Sequence, residues 1–218
     1  MENKEPQTAE QAAQETLDII SKAKKNSKII LGLSLLVLCV IVAILIWFFV
    51  AKSGSAKADE AIARADVEQN DSIAMVKYQE AAEMGYKSGN RAKLEVAIRY
   101  YQEGKYQEAL DYLKDASIDD KVVAAGALTL EGDCYVNLKE YDKALSAFDK
   151  AISKADKNPQ IVPLVLVKEA NVYKAQEKYA DAAKALKTII DEYPQFSQQN
   201  QYDVRKNYEM LNDMAKGE

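Results

Sequence analysis

Apolar residues follow two different patterns along this chain. From Ile29 to Ala51 they run for 23 residues without a charge, interrupted only by Gly32 and Ser34. At about 1.5 Å of rise per residue, such a run makes a helix of about 35 Å, which is long enough to cross a bilayer. Beyond residue 57, apolar residues recur at every third or fourth position with few turn breakers and no strict alternation, which predicts helix throughout. The chain therefore divides into a polar tail (1–28), a membrane-spanning helix (29–51), a short connector with Ser53, Gly54 and Ser55 (52–56), and a long helical region. The tail includes a short helix starting after Thr8, with Leu17, Ile19 and Ile20 as its sizeable apolar residues.

The flanks of the apolar run orient it. Lys22, Lys24, Lys25 and Lys28 precede it, against Lys52, Lys57 and Arg64 beyond it, a bias that predicts a cytoplasmic N-terminus. Trp47, Phe48 and Phe49 then fall at the outer interface, and the helical region faces the periplasm of a bacterial inner membrane. Ala56-Lys57-Ala58 has the spacing of a signal-peptide cleavage site, but the apolar run is too long and starts too late for a cleavable signal. Cys39 follows Leu38 and lies within the run, so it is not a lipid-attachment cysteine; it reads as a small packing residue.

The helical region repeats itself. Tyr100, Gly104, Tyr106, Ala109, Leu113 and Ala116 are followed 35 residues later by Tyr135, Lys139, Tyr141, Ala144, Phe148 and Ala151. A third set, Ala170, Tyr173, Tyr179, Ala182, Leu186 and Pro194, follows 38 residues after the second. Gly132 fills the small first-helix position of the middle copy, and Pro163 suits the first turn of the third. A weaker copy precedes them, with Ala74, Tyr78 and Ala81 in second-helix positions, and Val204, Tyr208 and Leu211 at the far end are spaced to cover the last hairpin.

These positions resemble the tetratricopeptide repeat, in which a small residue and a tyrosine on one helix meet a tyrosine, an alanine and a bulky apolar residue on the next. The resemblance implies an all-α fold: one N-terminal transmembrane helix, then an α-solenoid of about three and a half hairpins with a C-terminal capping helix. Its segments are a degenerate hairpin at 57–90, repeats at 91–122, 123–160 and 161–196, and a cap at 197–218. In this fold the first helix of each hairpin lines an inner groove, which places Arg91, Ile98, Tyr101, Asp133, Asn137, Asn171 and Lys174 along it. Tetratricopeptide domains that clamp a C-terminal carboxylate want polar groups where Leu94 and Ile98 stand, so an extended or helical peptide is expected instead, held by apolar contacts and the amides of Asn137 and Asn171. An empty groove, or one filled by the chain's own last helix, is the competing expectation. The six repeat tyrosines are expected to pack within the core.

Composition narrows the function. With 29 basic and 34 acidic side chains the net charge is −5, which offers no grip on a phosphate backbone and excludes nucleic acid as the expected partner. Histidine is absent, removing the commonest general base and metal ligand. No nucleophile–base pair, phosphate loop or metal spacing is visible, so neither catalysis nor a cofactor is expected. Asp119 and Asp120 read as a turn that caps the next helix, and Cys134 as a packed thiol.

The layout as a whole, a short charged tail, one anchor and an outward array, resembles the YfgM-like family of ancillary Sec translocon subunits. That resemblance implies partners among translocon subunits, emerging secreted proteins and a periplasmic folding factor, with the bilayer engaged through residues 29–51. A scaffold organising one cell-envelope or division complex has the same layout, and so does an organelle import receptor, although the lysine bias opposes the topology of the latter.

Overall fold

The computed structural model describes residues 5–199 and 203–217, and every regular element among them is helical. It separates into two units, Met1–Ser53 and Gly54–Glu218. The apolar run lies in the first, on helix α1 (Glu5–Asp66). From Leu31 to Val50 every side chain is exposed, and the helix is long and apolar enough to cross a membrane. Apolar surface on that scale must be covered from outside the chain. Two expectations change here. The short helix expected after Thr8 is part of α1, which begins at Glu5, and the expected connector at 52–56 is helical. One glycine costs a helix only about 1 kcal/mol, and no proline is present to end it.

The second unit is a stack of hairpins, a tetratricopeptide-like α-solenoid. The end of α1 pairs with α2 (Asp71–Glu83), α3 (Tyr86–Gln102) with α4 (Tyr106–Lys114), α5 (Lys121–Asn137) with α6 (Tyr141–Ala155), and α7 (Val162–Ala175) with α8 (Tyr179–Glu192). A short α9 (Pro194–Gln199) leads towards α10 (Val204–Lys216), which packs on α8. The described residues thus hold the three expected repeats preceded by the weak copy. The first helix of the weak copy is the tail of α1, where Ala58, Ile62 and Ala65 are buried in place of the repeat signature. The hairpin limits move accordingly: the second begins at 86 rather than 91, and the third at 121 rather than 123. Residues 200–202 of the expected capping segment lie outside the described residues. Val204 and Leu211 are buried against α8 with Tyr208 packed beside them, so α10 caps the array.

Local chemistry starts and stops each helix. Asp120 caps α5 as expected, its Oδ1 accepting the N–H groups of Val122 and Val123 at 2.9 Å, and Asn70 does the same for α2. Pro163 sits in the first turn of α7. The first helices α3, α5 and α7 end in the same turn. The N–H groups of Lys105, Glu140 and Lys178 donate to the carbonyls of Tyr100, Tyr135 and Tyr173, each at 2.9 Å. That closure needs a left-handed residue, and Gly104, Lys139 and Glu177 supply it with φ of 75°, 61° and 62°.

Packing explains the spacing. Gly132 lets its paired helices approach, facing Phe148, Ala170 packs in one cluster with Leu186, and Ala97 is buried at the corresponding place one repeat earlier. A Cβ placed on Gly132 would stand 2.8 Å from Phe148 Cζ and closer still to Cδ1 and Cε1. The six repeat tyrosines are partly buried against the apolar clusters, as expected. Because the Phe148 ring is fully buried and cannot move aside, Gly132→Ala is expected to destabilise the array by about 1–3 kcal/mol in urea unfolding of the micelle-bound chain. Lys139→Gly relieves a left-handed side chain and is expected to raise stability in the same assay by about 0.5–1 kcal/mol.

Candidate functional site

The first helices α3, α5 and α7 share one face, and Asp133 of α5 is its centre. Lys168 reaches across from α7 and places its Nζ 2.9 Å from both carboxylate oxygens of Asp133. From α3, Tyr101 approaches Asp133 and Asn137 and sets its ring edge-on against Tyr106 at 5.5 Å. Burial pushes the Tyr101 phenol up, the nearby Asp133 charge adds to that, and a hydrogen bond with Asn137 opposes it. Three residues expected in the groove therefore meet as one polar network over adjacent hairpins.

Lys168 was not expected there. Its signal was nevertheless present, because Asp133 and Lys168 are 35 residues apart, close to one repeat, which puts opposite charges on neighbouring first helices. Lys121 and Asp156, also 35 apart, pair between α5 and the residue that ends α6. Asn137 departs from its expected part as a peptide-binding amide. Its Nδ2 donates to the Asp133 carbonyl at 2.8 Å, the four-residue back-bond a helix always offers a short amide. Asn171 and Lys174 stand exposed on α7 and make no side-chain bond to another described residue. Arg91 is exposed near the start of α3, and Ile98 is half-buried on the same helix.

The face is graded along its helices. Towards their N-terminal ends it carries apolar groups, with Val122 and Leu164 exposed by 53% and 51% and Leu94 half-buried. Towards their C-terminal ends it carries Tyr101, Asp133, Asn137, Lys168 and Asn171. Such a surface can hold a segment that is apolar on one edge and polar on the other. Among the described residues no group of three or more Cys, Asp or Glu is placed to hold a metal ion. Burial pushes the Cys134 thiol up to about 12, so it remains a protonated packing group.

The chain carries tetratricopeptide repeats. Residues 94–159 and residues 164–195 each match a tetratricopeptide-repeat family model. Among solved structures, aspartyl phosphate phosphatase F from Bacillus subtilis is 18% identical over 78% of this chain and 47% of its own, with a TM-score of 0.54. The MamA protein is 18% identical over 77% of this chain and 87% of its own, at 0.50. The first tetratricopeptide domain of Spaghetti (RPAP3), solved with the HSP90 peptide SRMEEVD, is 17% identical over 60% of this chain and 95% of its own, at 0.48. At these identities the likeness is one of fold. No curated protein sequence matches the chain. The repeats mark a protein–protein interaction module.

One buried acid lies away from this face. Glu169 of α7 is 7% exposed, its Oε1 has no hydrogen-bond partner, and it adjoins Asp149 of α6. Burial pushes its carboxyl up to about 8, and the Asp149 charge adds to the shift. The folded chain keeps this proton to about pH 8, whereas the unfolded chain releases it near the ordinary 4.5. The contribution of Glu169 to stability is therefore full below about pH 4.5 and is lost as pH rises towards 8. Thermal melting from pH 5 to 9 is expected to show that decline in the wild type and a flatter profile in Glu169→Gln.

Proposed function

We propose that this chain is a membrane-anchored adaptor that binds segments of other proteins on the shared face of α3, α5 and α7. In this reading, residues 29–51 span the bacterial inner membrane with residues 1–28 in the cytoplasm and the array in the periplasm. The lysine excess before the span supports that orientation. The layout, which resembles that of ancillary translocon subunits, supports a place beside the Sec channel, where the array receives emerging secreted proteins or a periplasmic folding factor.

The observation that carries the binding function is the graded face itself. Val122 and Leu164 are left exposed at one edge of the face and Asn171 and Lys174 at the other, the polar groups of the latter without a bond to another described side chain. Folding alone gains nothing from exposing apolar side chains and uncommitted donors on one face, whereas a bound segment would cover the first and satisfy the second. The Asp133–Lys168 pair neutralises the centre, so recognition rests on apolar contact and hydrogen bonding more than on net charge.

Photocrosslinkers placed at Tyr101 and Asn171 on the face and at Leu35 in the apolar helix test this in native membranes. Translocon subunits are expected from Leu35, and a varied set of secreted proteins from the other two positions. A single recurrent envelope protein from Tyr101 and Asn171, with no translocon adduct from Leu35, would replace the adaptor by a scaffold with one permanent partner.

A further inference from the structure

A cavity of about 230 Å³ lies at the apolar edge of the face, where the start of α3 meets the α4–α5 loop and the tail of α1. Leu94, Ile118 and Val123 give it apolar walls, and Asp59, Lys87, Arg91, Asp119 and Asp120 stand among its lining. Three of these charges are already engaged. Asp120 accepts the first N–H groups of α5, and Lys87 faces Asp119 at 3.7 Å. Asp59 of α1 and Arg91 of α3 remain, and neither is ion-paired with another described residue. No ion pair joins the two, so the cavity has one uncompensated acid and one uncompensated base.

We propose that this cavity is an anchor socket for the bound segment: it takes one bulky aliphatic or aromatic side chain, with an acidic residue on the Arg91 side and a basic residue on the Asp59 side. The inference rests on the reading that the face binds protein segments, and it names what such a segment must carry. The volume suits a single side chain and is too small for a lipid chain. A phosphate group would meet Asp59 and Asp119 as well as Arg91, which disfavours it. A peptide presenting both signs around an apolar residue matches both rim charges at once. It also has a direction, because the two charges come from different helices.

Panning a phage library of random dodecapeptides against the full-length chain in detergent micelles tests the socket. The wild type is expected to enrich peptides with one apolar position flanked by opposite charges in a constant order. Leu94→Asp is expected to weaken their binding at least tenfold. The double variant D59K/R91E is expected to select the reversed charge order, a readout that loss of folding cannot imitate. Enriched peptides that lack the shared apolar position, or that keep their affinity for Leu94→Asp and their charge order in D59K/R91E, would overturn the socket and leave the wider face as the binding surface. If no peptide is enriched, the socket and the segment-binding function both fall.

Discussion

The array depends on two helices coming close enough that, at one level of each of the last three hairpins, the first helix can carry nothing larger than a methyl group. Gly132 is the extreme case, because the Phe148 ring occupies the space that its Cβ would need. Ala97 and Ala170 hold the same place in the neighbouring hairpins, and Ala109, Ala144 and Ala182 answer them from the second helices, all of them buried. Close approach removes apolar surface from water and fixes the angle at which each hairpin meets the next. The left-handed turns after α3, α5 and α7 serve the same end, since the chain must reverse tightly for the paired helices to lie together.

The shared face follows from that geometry. Stacking places the first helices side by side, so positions about one repeat apart become neighbours, and Asp133 can receive Lys168 from one side and approach Tyr101 on the other. The network joins three hairpins through side chains that are only partly shielded. Exposed ion pairs contribute little, but a bidentate contact with one partner largely buried holds its geometry better. The face thus has a neutral middle, an apolar edge and a polar edge, and the proposed binding there favours an amphipathic segment over a strongly charged one.

The first unit obeys a different constraint. The side chains of the helical run from Leu31 to Val50 are exposed along the whole stretch. What made the run conspicuous in the sequence, its unbroken lack of charge, also leaves it requiring lipid or another protein as cover. Each unit therefore leaves apolar side chains exposed, Leu31 to Val50 in the first and Val122 and Leu164 in the second.

Sequence alone determined the helical class, the repeat and its register, the packing place of the tyrosines, the caps at Asp120 and Pro163 and the capping helix, because each depends on local period or on residue size at a repeated position. It also placed Tyr101, Asp133 and Asn137 on one face. The continuity of α1 through 52–56 was hidden by the Ser-Gly-Ser composition of that stretch, which a long helix tolerates when its flanks are strongly helical. The first hairpin was half-hidden because its leading helix buries Ala58, Ile62 and Ala65 without the signature residues. Only tertiary structure decided which polar groups remain uncommitted. Asn137 turns back to its own helix while Asn171 does not, Lys168 takes up the charge of Asp133, and the α4–α5 loop brings Ile118 beside Leu94. Those outcomes depend on where neighbouring helices place their side chains, and no period along the chain records that.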